Sequence, residues 1–337
     1  MSGRAALCAV VLAAVSCARG ERSDLVRIRV LGQPHLSMAP LLIAAEEGYF
    51  RDQGLDVEFI ALASSREGLP ALIQGDLEVL TGSISPSFLN AVAQGAELRI
   101  VADKGHLARG GCTYLGFLTR PELLHGGELR RPDRGASWRF SFRRGAYYEF
   151  LTERALASAG IERSAIQVHR VSPEAEVQAL AQGRLDVAVA LSLYLEKMIA
   201  AGTAAVWRTG QSVLPDGQFS VLLYGPALLA RDPEAGIRFM SAYLRGVRQY
   251  NRGRTQRNLE ILEKRTGLDR KTLASTCWIA VREDGLIDTA SVLELQAWAV
   301  GKGILSRSLE LEELWEPRFV TDAVRRLEIE GGKANVE

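Results

Sequence analysis

The segment Ala71-Leu72-Ile73-Gln74-Gly75-Asp76-Leu77-Glu78-Val79 returns 108 positions later as Ala179-Leu180-Ala181-Gln182-Gly183-Arg184-Leu185-Asp186-Val187. Self-similarity on this scale points to a duplicated structural unit and limits the folds open to the chain. Each copy reads as a helix end closed by a glycine in the left-handed cap position, then a short buried strand. A second helix follows in both, over 85–94 and 193–201, ending at Gly95 and Gly202. Upstream the parallel continues in pattern. Strands are expected over 26–31 and 138–142, helices over 40–47 and 147–159, stops at Gly48 and Gly160, and further strands over 57–60 and 166–171. Pro40 suits the first turn of its helix. Two βαβα units of one design result.

One long doubly wound sheet would also hold such a repeat, so the segments between the copies matter. Apolar strands over 114–119, broken at Arg120-Pro121, and over 219–224, broken at Gly225-Pro226, read as crossings between two lobes. The remainder is mostly helical, over 233–251, 289–301 and 317–327; Ile237, Met240, Tyr243, Leu244 and Val247 recur at helical spacing as a core face. At 337 residues the chain exceeds what one hydrophobic core usually supports. The expected division is lobe I at 25–118 plus 214–337 and lobe II at 119–213. Motion is expected at 118–121 and 213–220, with a ligand cleft between the lobes.

Residues 1–24 read as a leader and linker rather than part of the fold. Arg4 precedes an apolar run, Ala5–Val15, too short to span a bilayer as a helix and of the length of a signal-peptide core. Ala14-Val15-Ser16-Cys17 resembles a bacterial lipobox, in which Cys17 is lipidated and becomes the first mature residue. The alternative is cleavage after Ala18. Cys112 and Cys277 then remain, and nothing local forces them to pair; buried free thiols are the expected state, with a disulfide left open. A net charge of +1 gives no field toward nucleic acid. His35, His106, His125 and His169 are scattered and neither cysteine has a neighbour at ligand spacing, so neither metal nor cofactor is expected. No Ser/His/Asp arrangement, phosphate loop or paired-carboxylate motif suggests catalysis.

Ligands of parallel α/β sheets bind beyond the carboxyl ends of the strands. After the first strand the long, acid-free loop 32–39 offers Gln33, Ser37 and Met38. After the second stands Ser64, which helix capping explains equally well. After the third, 81–86 offers Ser83 and Ile84, where Gly82 permits close approach. After the fourth, Asp103 and Lys104 are expected as a solvated turn pair. In lobe II, Arg144 at a helix start suits an anion, and Tyr147 suits a planar ligand. The repeat sets Ser192 and Tyr194 opposite the 82–86 loop, with Tyr194 as a cleft wall.

The run Pro40-Leu41-Leu42-Ile43-Ala44-Ala45-Glu46-Glu47-Gly48-Tyr49-Phe50 and the following Gly54-Leu55-Asp56-Val57-Glu58 resemble the opening of the nitrate/sulfonate/taurine and thiamine-pyrimidine-precursor binding proteins of ABC importers. The repeat segments, Asp284-Gly285 and the last helix extend the resemblance. It implies a two-lobed type II periplasmic-binding-protein fold, each lobe a mixed, mostly parallel sheet flanked by helices, joined by two crossings. It also implies a monomer outside the cytoplasm that closes on a small-molecule ligand and delivers it to an ABC permease and its ATPase, touching membrane only through a lipid anchor. The departures at Arg143–Ala146 and Leu191–Tyr194 keep the family's ligands from being carried over; the expected class is small, anionic or aromatic. A lipid-anchored receptor for a sensor or surface partner is the alternative. A pyrimidine-precursor synthase on the same fold is disfavoured by the leader and the lack of a cysteine run.

Overall fold

The computed structural model describes residues 25–32, 36–61, 65–130, 136–142 and 147–334. The first unit runs β1 (Val26–Leu31), α1 (Ala39–Glu46), α2 (Tyr49–Asp52), β2 (Leu55–Ile60), α3 (Ser65–Gln74), β3 (Val79–Ser83), α4 (Pro86–Ala93) and β4 (Arg99–His106). The second runs β5 (Leu115–Thr119), a small hairpin of β6 (Leu124–His125) and β7 (Glu128–Leu129), β8 (Trp138–Ser141), α5 (Tyr147–Ser158), β9 (Ile166–His169), α6 (Pro173–Ala181), β10 (Val187–Leu191), α7 (Tyr194–Ala200) and β11 (Ala205–Thr209). Then come α8 (Gly210–Val213), β12 (Gln218–Tyr224), α9 (Pro233–Asn251), α10 (Gln256–Thr266), α11 (Arg270–Ser275), α12 (Thr289–Gly301), α13 (Leu311–Leu314) and α14 (Arg318–Ala334).

The two copies of the repeat follow the same backbone path. The Ala71 carbonyl accepts from the N–H groups of Asp76 and Leu77, as the Ala179 carbonyl does from Arg184 and Leu185. Gly75 and Gly183 turn at φ 79° and 68°, where a side chain would be strained. The acidic residue of each copy then ties its strand to the neighbour. The Glu78 carboxylate accepts from the Arg29 backbone N–H at 2.7 Å and from its guanidinium at 2.7 Å. Asp186 accepts from the Arg139 backbone at 2.8 Å and guanidinium at 2.7 Å. Such charge-assisted, bidentate bonds fix register as well as adding energy.

Two five-stranded sheets result, ordered β2-β1-β3-β12-β4 and β9-β8-β10-β5-β11. In each, the first three strands are parallel and the fourth is antiparallel to its neighbours. That fourth strand is always the one arriving from the other lobe: β12 follows β11, and β5 follows β4. The architecture is the mixed, two-lobed one expected. One apolar cluster runs through both lobes, and a smaller one around Leu118, Leu180, Leu185 and Met198 fills the outer part of the second. On α9, Met240, Tyr243, Leu244 and Val247 are buried as their spacing predicts.

Two expectations need correction. The first crossing is not at 118–121, because β5 pairs along its whole length with β10 and β11. The chain passes between sheets at 107–114 and returns at 210–217, so a boundary at 118 cuts a strand of the second sheet. An apolar strand ending at proline reads alike whether it enters or leaves a sheet. The two passages lie side by side, with the Leu107 N–H donating to the Gly217 carbonyl and the Asp216 N–H to the Leu107 carbonyl, both at 2.9 Å. The second correction concerns the cysteines. Cys112, in the first passage, is disulfide-bonded to Cys277 across 165 positions, with Cα atoms 5.7 Å apart. Only the fold brings that passage against the segment following α11. The segment is held to α9 by Tyr250 donating to the Ile279 carbonyl at 2.7 Å and by Asn251 donating to that of Val281 at 2.9 Å. Among the described residues no helix is long and apolar enough to cross a membrane.

Candidate ligand-binding site between the sheets

The carboxyl ends of β1, β3 and β4 and the start of β12 share one edge of the first sheet. Antiparallel register sets Ser220 opposite Ser83 on one side and Gly105 on the other. Thr81 lies one step back on the Ser83 face, donates to the Leu31 carbonyl at 3.0 Å and sits 3.3 Å from the Met38 sulfur. Met38 leads into α1 without a side-chain cap. Ser37 hydrogen-bonds Tyr114, whose hydroxyl pKa burial pushes up. Ser85 caps α4 by accepting from the Phe88 N–H at 3.2 Å.

From the second lobe, α5 brings aromatic rings to the same junction. Phe219 of β12 meets Tyr147 edge-on with ring centroids 5.4 Å apart, Tyr148 at 6.2 Å and Tyr114 at 5.7 Å. Beyond β10 the backbone is strained, with Leu193 at φ 83°, a conformation that costs a non-glycine residue about 1–3 kcal/mol and tends to mark functional loops. The carboxylate of Glu196 accepts from the Leu193 N–H, and also from the Cys277 N–H at 2.9 Å. The Ser192 hydroxyl lies 2.8 Å from both Glu196 and the Cys277 carbonyl, and the Ser192 N–H donates to the Tyr114 carbonyl at 2.7 Å. Glu196 and Ser192 thus clasp the second lobe to the disulfide segment.

Of the expected contact residues, Ser37, in the short turn before α1, and Ser83 and Ser192, at the ends of β3 and β10, stand half-buried. Met38 and Ile84 are buried in the core. Tyr147 is also buried, at 1% exposure, and its hydroxyl has no partner among the described residues. The Tyr194 ring packs with the smaller apolar cluster, and its hydroxyl donates to Glu174 within the same lobe. Gln33, Ser64 and Arg144, like Cys17 and the rest of residues 1–24, lie outside the described residues. Among the described residues, no three His, Cys, Asp or Glu side chains gather as a metal site.

The expected solvated pair Asp103-Lys104 is instead buried inside β4. Asp103 accepts from the Gly105 N–H at 2.7 Å, Gln218 at 2.7 Å and the Arg282 N–H at 2.8 Å, with His106 Nδ1 at 3.1 Å. Lys104 is 3% exposed, and burial lowers its pKa to about 8 against the pull of Asp103. Adjacent charges before a glycine look like a turn when the strand carrying them has an irregular end. Lys104, Ser220, Phe219, Tyr114 and Glu196 were all missed. The one available signal was the length of the apolar run into Asp103, which already implied a strand continuing inward.

Residues 35–108 match the sequence model of the family described as NMT1/THI5 like. No curated protein sequence matches the chain. Among solved structures it is similar to the ligand-binding component of an ABC-type import system from Staphylococcus aureus, solved with zinc bound. That likeness is 16% identity over 89% of this chain and 99% of the other, with a TM-score of 0.70. A periplasmic sulfonate-binding protein, SsuA, of a putative sulfonate ABC transporter from Methylobacillus flagellatus is 17% identical over 91% and 96%, with a TM-score of 0.69. The periplasmic nitrate-binding protein NrtA from Synechocystis is 14% identical over 91% and 90%, also with a TM-score of 0.69. With a duplicated unit, two exchanged strands and paired passages between the lobes, the chain has the two-lobed fold of the periplasmic substrate-binding components of ABC importers and carries NMT1/THI5-like sequence over residues 35–108.

Proposed function

We propose that this chain is the extracytoplasmic solute-binding component of an ABC importer. It works as a monomer, is tethered by a lipid on Cys17, and closes its two lobes on one small anionic or aromatic molecule. The observation that carries the reading is the convergence at the strand ends. Hydroxyls of Ser37, Ser83 and Ser192 and the rings of Tyr114, Phe219 and Tyr148 come from both lobes to one junction. Binding sites of this architecture sit at such crevices. The paired passages at 107–109 and 216–217 are the hinge in this reading, since short element-terminal segments absorb such rotations. A disulfide is at home in an oxidising compartment, which supports export. The test is a melting screen over sulfonates, carboxylates, pyrimidines, flavins and phosphonates. A ligand that binds only the folded protein raises its melting temperature by mass action. If a protein partner shifts melting and no small molecule does, the solute-binding reading fails and a receptor role replaces it.

A further inference from the structure

We propose that Lys104 is the counter-charge for the ligand, with the Ser220 hydroxyl beside it, and that the molecule captured is a singly charged oxyanion. This rests on the solute-binding reading and commits it to one chemistry.

The argument begins with strand register. Ser220 pairs with Gly105 and Val221 with Asp103, so the ladder skips Lys104. An extra residue of this kind kinks the strand and re-aims a side chain, and such bulges concentrate beside functional sites. Here it directs the Lys104 ammonium to the Ser220 hydroxyl, 3.3 Å away, at the sheet edge shared with Ser83.

The second point is charge. An ammonium has three donors, and that single bond to a neutral hydroxyl is its only hydrogen bond among the described residues. No carboxylate there comes within ion-pair distance of it. Lys264 and Lys302, by contrast, are paired with Glu46 and Glu153 at 2.8 Å. The adjacent Asp103 attracts it electrostatically but forms no ion pair with it, its oxygens being taken by Gly105, Gln218, Arg282 and His106. A buried charge without a partner is unfavourable unless something compensates it. An oxyanion at the sheet edge would accept from the ammonium and from neighbouring hydroxyls at once. One ammonium matches one negative charge, which favours a sulfonate or carboxylate head over a phosphate dianion.

The experiment uses the mature protein with benzenesulfonate, methanesulfonate and benzoate as probes, and methyl phenyl sulfone and benzamide as uncharged matches. Binding is measured by calorimetry and by melting. The expected result is that an anionic probe binds and its uncharged match does not. Lys104→Met should lose roughly a hundredfold in affinity, Lys104→Arg should retain part of it, and Ser220→Ala should lose about tenfold. Ligand-free Lys104→Met should melt at or above the wild-type temperature, because it no longer buries an unpaired charge. Anion affinity unchanged within about threefold in Lys104→Met overturns the assignment. If Lys104→Met fails to fold, unchanged affinity in Ser220→Ala and Lys104→Arg overturns it equally. A wild type that captures only uncharged or cationic molecules removes Lys104 from the site and leaves solute binding standing. A wild type that binds no small molecule of any charge removes both readings.

Discussion

Breaking the bond between Cys112 and Cys277 should destabilise the protein by an amount the chain separation sets. Closing a loop of 165 positions removes about 5 kcal/mol of entropy from the unfolded chain at 25 °C. With the usual unfolding entropy per residue, that corresponds to a fall in melting temperature of about 8 °C for a protein of this size. The Cys112→Ser/Cys277→Ser double variant should reproduce the loss seen on reduction, since the bond acts as a tether. Scanning calorimetry of oxidised, reduced and double-variant protein gives the three temperatures, and thiol titration under denaturant verifies the redox state. Melting unchanged within about one degree, with the thiols shown free, would refute the reasoning. A fall well beyond about 15 °C would also count against a purely entropic tether. It would mean that the segment following α11 leaves the passage at 107–114 altogether when released.

Other expectations follow from the same contacts. Glu196→Ala leaves the Cys277 N–H without its acceptor, worth about 1–3 kcal/mol against the joined arrangement of the lobes. Small-angle scattering should show a larger radius of gyration, and an unchanged radius would mean that Glu196 only caps α7. Lys104 titrates near 8 when folded, below its ordinary 10.5, so the unfolded chain holds more protons between those values. Stability from this group therefore rises as pH goes from 8 to 10.5. The melting difference between wild type and Lys104→Met should narrow over that range, and a constant difference would show that folding does not lower the Lys104 pKa. Burial pushes the Asp186 carboxyl pKa up, but hydrogen bonds from Arg139 and Arg120 outweigh it and hold it below the ordinary value. Its contribution is present above the unfolded carboxylate pKa and lost as pH falls through the lower folded one. Asp186→Asn should accordingly flatten the acid limb of the stability curve below about pH 4; an unaltered limb would show the ion pair to be inert.

Much of this was legible in the sequence, and for an identifiable reason. The repeat could be read because its local chemistry is self-contained: Gly75 and Gly183 end their helices, and Glu78 and Asp186 reach only to the next strand. Helices such as α9 and α12 were legible because each has a clear start, Pro233 and Thr289. What failed depended on distant partners. Cys112 meets Cys277 only after ten intervening strands and helices of one lobe and much of the other have folded between them. Lys104 was taken for solvent-exposed because nothing nearby in sequence announces that Ser220 will lie over it. Tyr194 was chosen for its place after a strand, a position that says where the Cα lies but not that the ring turns toward Glu174.

The exchanged strands also set the order in which the chain can be completed as it is made. Every strand of the second sheet lies between Leu115 and Thr209, in one continuous stretch. The first sheet is begun earlier, yet its inner strand β12 ends only at Tyr224 and sits between β3 and β4. Until then β3 and β4 have no partner on their facing edges, and unpaired edges invite the wrong neighbour. The lobe started second is thus the first able to close, and the lobe started first depends on it. A chain cut anywhere between Thr209 and Gln218 would carry one finished half and one with its middle missing.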